Sequence, residues 1–237
     1  MDTITQTDYT TWSIQQFITA DSKPHYDKIM KIINGIRNIK FYEKSGVKVC
    51  VFGGTVRNFI QHYITGEPFV EPKDLDIWLD FSEIYGRTHS FNSWRHCGKY
   101  LLQEITKNSD FVVSDKHFIC AEFGPRETYS VQKININGID IDICTDINYS
   151  SMFKKLSDYT VNNLYFDHNG QLFTRYECEY TIKDNIQHIK EKKLVPIFNK
   201  EEIEKNDVDG YYNYKNYTIS IMIDKRHTKM IEYGYHG

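Results

Sequence analysis

Asp74 and Asp76 lie two positions apart in the run Lys73-Asp74-Leu75-Asp76-Ile77-Trp78-Leu79-Asp80. Leu75, Ile77 and Leu79 alternate with the other residues, the period-2 mark of a strand, and that period puts both carboxylates on one face. Paired hard oxygen donors suit a magnesium-like cation, which is usually held by one or two carboxylates plus the phosphates of a substrate. Upstream, Val51-Phe52-Gly53-Gly54-Thr55-Val56-Arg57-Asn58 reads as a strand, a Gly-Gly turn and a helix. Gly53 and Gly54 have no Cβ, so their backbone N–H groups can approach a triphosphate, and the helix that follows turns its positive end to the same anion. The Arg57 guanidinium offers a fixed fork of donors that matches phosphate. Each fragment alone has a bland reading, a plain turn or a solvated strand face; together, and in this order, they describe one site.

Two further stretches carry candidates. In Val131-Gln132-Lys133-Ile134-Asn135-Ile136-Asn137-Gly138-Ile139-Asp140-Ile141-Asp142-Ile143-Cys144-Thr145, the Asn137-Gly138 pair between alternating runs predicts a tight hairpin. Ile139, Ile141 and Ile143 then face the core and leave Asp140 and Asp142 on the other side, as site residues or as the solvated face of an edge strand. Residues 158–173 predict core positions at Val161, Leu164 and Phe166, with a hairpin turn at Asn169-Gly170.

These residues resemble the head domain of the tRNA nucleotidyltransferase and bacterial poly(A) polymerase family, within the DNA polymerase β-like nucleotidyltransferase superfamily. The family pattern is G-G-x-V-R-D followed by K-D-x-D on the next strand. Gly53-Gly54-Thr55-Val56-Arg57-Asn58 and Lys73-Asp74-Leu75-Asp76 stand in those places, and Asn58 departs from it. Asp158, Thr160, Asn162 and Leu164 fall in register with the family's R-R-D-F-T-I-N-A-L segment, with Leu156 and Ser157 in place of its two arginines.

The resemblance implies an α/β (α+β) polymerase β-like head, a mixed sheet flanked by helices, here with a short C-terminal helical extension. It implies transfer of a nucleoside monophosphate from a nucleoside triphosphate to an acceptor hydroxyl, foremost an RNA 3′ end such as that of tRNA. Asp74 and Asp76 would hold Mg2+ or Mn2+ in a two-metal site. Asp142 aligns with a third carboxylate that ligates metal or accepts the proton of the attacking hydroxyl, with Asp140 in reserve. Gly53, Gly54, Arg57 and Lys73 would bind the phosphates, and Asp158 and Asn162 the ribose and base. The E-D-x-x-R motif of the family's neck has no counterpart, so a complete CCA-adding activity is not expected.

The elements that must position these residues follow from periodicity. Strands are expected near 47–53, 75–81, 111–122, 130–136, 139–145 and 163–174, and helices near 55–63, 93–107 and 181–192, with one or two more over 12–40. Residues 199–217 read as a connecting loop and 218–233 as a closing helix ended by Gly234. The expected organisation is N-terminal helices over 1–45, a catalytic domain over 46–195 and an extension over 196–237. At 237 residues, with 40% hydrophobic and 15% aromatic content, the chain has the composition of a folded globular protein. Five widely spaced cysteines without a C-x-x-C pair fit reduced thiols of a cytoplasmic protein, and neither a signal-like segment nor a membrane span is read. Asn-, Ile-, Lys- and Tyr-rich usage fits an AT-rich, viral genome, which would place the protein in host cytoplasm or a particle. A net charge of −3 argues against a broad nucleic-acid surface. Two other classes stand beside the enzyme: a catalytically reduced nucleotide- or RNA-binding module, and a scaffold or particle component that keeps the fold.

Overall fold

The computed structural model describes residues 12–39, 48–80, 100, 103–108, 110–123, 127–146, 159–174, 179–197 and 219–237. Helix α1, Lys23–Arg37, opens with a proline in its first turn and buries Tyr26, Ile29, Ile32, Ile33 and Ile36, the spacing of one helical face. Gly35 on it lets the tip of a ring approach the backbone, for a Cβ there would come 2.2 Å from Phe111 Cζ. Strand β1, Lys48–Phe52, runs through the Gly53 turn into α2, Gly54–Thr65, which buries Val56, Phe59 and Ile60 and stops at Gly66 in the left-handed conformation.

Strands β2 (Leu75–Asp80), β3 (Val113–Phe123), β4 (Glu127–Ile136), β5 (Ile139–Asp146), β6 (Leu164–Asp167) and β7 (Leu172–Thr174) complete a mixed sheet of order β3-β4-β5-β2-β1-β6-β7. β2 and β5 pair in parallel, and the other neighbours pair antiparallel. The β4–β5 hairpin turns at Asn137 and Gly138, both with positive φ (53° and 81°), as the type I′ expectation requires. The extended run expected over 163–174 is divided into β6 and β7 by the hairpin turn expected at Asn169-Gly170. The Asp167 carboxylate accepts the backbone N–H groups of Asn169 and Gln171, at 2.9 and 3.0 Å, and ties off the turn between β6 and β7.

Two more helices follow. α3, Ile182–Lys190, starts at a capping box in which Thr181 and Asp184 satisfy each other's backbone groups, and hydrogen bonds from Thr181 hold the Asp184 carboxyl below its ordinary range. α4, Ile219–Glu232, ends before Gly234 at φ 80°. The expected helix near 93–107 is described at Tyr100 and over residues 103–107, both helical, and the loop expected over 199–217 lies outside the described residues.

The sheet has two unlike faces. Val49, Val51, Leu75, Ile77, Leu79, Ile141, Ile143, Leu164 and Phe166 join the main core, together with α1 and α2. Each such residue contributes roughly 1.5–3 kcal/mol on full burial. The other face carries a smaller apolar group, Cys50, Phe52, Trp78 and Cys144 with Tyr165 beside it, and the acidic residues. Cys50 and Cys144 are both buried. Among the described residues no helix is long and apolar enough to cross a membrane.

Candidate active site

Strand register brings the acids together. Asp76 on β2 stands opposite Asp142 on β5 across the parallel pair, and Lys133 on β4 stands opposite Asp142 across the hairpin. On the other side Asp76 faces Phe52 of β1, which faces Tyr165 of β6. In-register partners project from the same face, so Lys133, Asp142, Asp76, Phe52 and Tyr165 form one row across five strands. Asp74 precedes β2 and is exposed, two positions before Asp76.

The row is electrostatically one unit. Lys133 Nζ donates to Asp142 Oδ2 at 2.5 Å. That hydrogen bond pushes the lysine above its ordinary pKa; burial opposes it, and the attraction of Asp142, Asp74 and Asp76 adds to it. Asp140 lies two pairs nearer the turn, where it accepts from Asn135 Nδ2 at 2.8 Å. Of the two acids on β5, Asp142 is the one set against Asp76.

The Gly53-Gly54 turn sits between Asp76 and Arg57. Gly53 caps α2 at φ 72°, ψ −136°, and a Cβ there would lie 2.8 Å from Asp76 Oδ2; a Cβ on Gly54 would lie 3.4 Å from Arg57 Nη2. Arg57 itself is buried at 7% exposure. Its Nη1 donates to Asn162 Oδ1 and reaches Met230 Sδ at 3.5 Å, and its guanidinium lies 5.2 Å from the Tyr233 ring centre and 5.8 Å from that of Tyr235. Asn58, where the family pattern has Asp, donates to Val70 O at 3.0 Å. Burial pushes the Tyr235 hydroxyl up to about 12, and that hydroxyl donates to Gln61 Oε1 at 3.0 Å.

No family model matches the chain, and no curated protein matches it. The chain is similar in structure to CCA-adding enzymes. A CCA-adding enzyme in complex with CTP aligns at 15% identity and TM-score 0.49, over 84% of this chain and 39% of the other. The Thermotoga maritima CCA-adding enzyme complexed with tRNA aligns at 14% identity and TM-score 0.46, over 94% and 46%. A complex with ATP aligns at 13% identity and TM-score 0.45, over 95% and 48%. The chain thus spans less than half the length of each of these proteins, and the reading of the site rests on its own geometry.

Of the sequence-based candidates, Asp74, Asp76 and Asp142 share one electrostatic neighbourhood beside Gly53, while Gly54, Arg57 and Asn162 gather at the other side of the turn. Lys73 is exposed next to Asp74, and Asp158 lies outside the described residues. Among the described residues no three His, Cys, Asp or Glu side chains stand at metal-holding spacing. The donor set nevertheless fits a divalent cation at Asp74 and Asp76, both hard carboxylates, with Asp76 Oδ2 facing the space that a Cβ on Gly53 would fill. Lys133 was not among the candidates. Its signal lies in the hairpin: the two-residue turn at Asn137-Gly138 fixes the pairing, which sets position 133 against position 142.

Proposed function

We propose that this chain is a metal-dependent nucleotidyltransferase that transfers a nucleoside monophosphate from a nucleoside triphosphate to the hydroxyl of an RNA 3′ end. The observation that carries the reading is the register of Asp76 against Asp142, with the Gly53 turn packed on the Asp76 carboxylate. Divalent ions, when bound, would supply charge stabilisation at the attacking and leaving oxygens. Asp74 and Asp76 would hold them. The backbone N–H groups of the Gly53-Gly54 turn and the opening of α2 receive the phosphates, which the glycines allow by close approach. The acceptor oxygen attacks the α-phosphorus in line; a new P–O bond forms, the bond to the bridging oxygen breaks and pyrophosphate leaves. The proton of the acceptor hydroxyl passes to Asp142.

A second reading draws on Arg57, which is committed to Asn162 and to the segment Met230–Tyr235, and on Lys133, which holds Asp142. A nucleotide- or RNA-binding module without turnover would tolerate both arrangements. Incubation of the purified chain with each labelled triphosphate, Mg2+ or Mn2+ and total RNA separates the two. Label on RNA is expected; retained binding of triphosphate with no label on RNA or protein would favour the module.

A further inference from the structure

The segment that follows α4 is tied to the glycine-turn helix by a closed circuit of bonds. Tyr235, 2% exposed, spans one turn of α2: its ring centre is 5.8 Å from the Arg57 guanidinium, and its hydroxyl donates to Gln61 Oε1, four residues further on, at 3.0 Å. Gln61 Nε2 donates to Glu67 Oε2 at 3.1 Å, and the Lys192 ammonium donates to Glu67 Oε1 at 2.9 Å. The Lys192 carbonyl accepts the His236 N–H at 2.8 Å, which returns the circuit to the residue after Tyr235, and the His236 carbonyl accepts the Leu194 N–H at 2.7 Å. Lys192 stands at φ 52°, a left-handed conformation that a lysine keeps where its surroundings over-determine it. What the circuit holds is Arg57. Nη1 donates to Asn162 Oδ1 and lies 3.5 Å from Met230 Sδ, the Tyr233 ring centre is 5.2 Å from the guanidinium, and a Cβ on Gly54 would stand 3.4 Å from Nη2. One edge of the fork is thus held by Asn162 and the segment, and the other is set against the glycine turn.

We propose that Tyr233 and Tyr235 are positioning residues for triphosphate binding that act through Arg57: segment 230–236 fixes the guanidinium with Nη2 at the Gly53-Gly54 turn before a nucleotide arrives. This rests on the nucleotidyltransferase reading of the same turn. The reason is preorganisation. An arginine that samples its rotamers must be ordered by the ligand, at a cost in affinity, whereas one already held against aromatic faces meets the phosphates without that loss. Neither tyrosine needs to touch the nucleotide in this account. Tyr233 supplies the nearer ring, and Tyr235 supplies the anchor, since its hydroxyl joins the segment to Gln61 on the same helix as Arg57.

The test is titration calorimetry on the full chain with Mg2+ and an ATP analogue that carries a methylene bridge between its α- and β-phosphorus, run well below each variant's melting temperature. Tyr233 is 42% exposed, so Tyr233→Leu should fold as wild type does. It should weaken binding about tenfold, the penalty for ordering one long side chain. Tyr233→Phe keeps the ring and should bind within about twofold of wild type. Tyr235→Phe keeps its ring but cuts the tie to Gln61, and should weaken binding about threefold. In the Arg57→Lys background, Tyr233→Leu should change affinity by less than about twofold, because the group it acts through is gone. Equal affinity of Tyr233→Leu and wild type, or an equal loss in both backgrounds, would overturn the role of the tyrosines while leaving the triphosphate site standing. A wild-type chain that does not bind the analogue would overturn the nucleotidyltransferase reading with it.

Discussion

A Cβ on residue 53 would stand 2.8 Å from Asp76 Oδ2, so the turn that opens α2 and the carboxylate of β2 share a space that only glycine leaves free. The φ of 72° and ψ of −136° at Gly53 add a backbone reason, since an L side chain is strained there. Gly53→Ala should therefore act twice. Strain should cost about 1–3 kcal/mol of stability, and displacement of Asp76 should lower transfer about a hundredfold, because misplacing a reacting group by an ångström has that effect. Thermal unfolding and single-turnover rates read the two separately. A variant with wild-type transfer would show that the contact has no part in positioning Asp76.

Asp76→Asn keeps the shape of the side chain and removes the charge that binds a cation. Asp76 is only partly buried and projects from the sheet face opposite the main core, so the fold should tolerate the change. Transfer should fall below detection while the melting temperature stays within a few degrees of wild type. Full activity in this variant would remove the catalytic reading.

The parts of this arrangement that are local in the chain were legible in the sequence. Asn137-Gly138 specified its hairpin, Thr181 with Asp184 specified the start of α3, and the isoleucines of α1 specified its buried face, because each signal is a matter of spacing within a few residues. The parallel pairing of β2 with β5, on which the meeting of Asp76 and Asp142 depends, joins segments far apart in sequence, and alternation alone does not name a strand's partner. The burial of Arg57 under Met230, Tyr233 and Tyr235 was likewise unreadable. Nothing in a phosphate-type arginine tells which distant segment packs on it. The hairpin turn within 163–174 was legible in Asn169-Gly170, while the part of Asp167 in closing it was not.

Arg57 couples the glycine turn to the C-terminal segment. Arg57→Lys keeps the charge and loses the fork that serves Asn162 and the faces of Tyr233 and Tyr235. Stability should drop by about 1–3 kcal/mol, the range for a buried hydrogen bond to a charged group. Titration calorimetry with a non-hydrolysable triphosphate should also show weaker binding. Unchanged affinity beside lowered stability would assign Arg57 to holding the tail alone.

Acid should loosen the fold near neutrality. Burial, followed by the nearby Lys193, holds His188 below its ordinary value of 6.5, and burial followed by Arg37 does the same for His168, whose Nδ1 is buried without a hydrogen-bond partner. A histidine with a depressed folded pKa binds its proton more readily when unfolded. Stability is then complete above about 6.5 and is lost as pH falls from there toward the lower folded values, after which the curve flattens. Melting temperatures from pH 7.5 to 5 should trace this fall, and His188→Gln together with His168→Gln should shallow it. An unchanged slope in the double variant would assign the pH dependence to other groups.

Selection of the incoming base should be modest. Strict selection needs buried polar groups aimed at a base edge, because an unpaired group in a closed site is what rejects the wrong substrate. Asn162, the described candidate for contact with the sugar or base, gives its Oδ1 to Arg57 and sets its Nδ2 3.8 Å from Met230 Sδ. Arg57 is committed in turn to that partner and to two tyrosine rings. At the apolar end of the acidic row lie Phe52, Trp78 and Tyr165, the first two buried. Competition among ATP, CTP, GTP and UTP at equal concentration should thus give incorporation ratios within about tenfold of one another, since packing differences without hydrogen-bond readout discriminate by no more than that order. Addition of CTP and then ATP with strong exclusion of the other two would show that a base-reading group outside the row, on the C-terminal segment, completes the site.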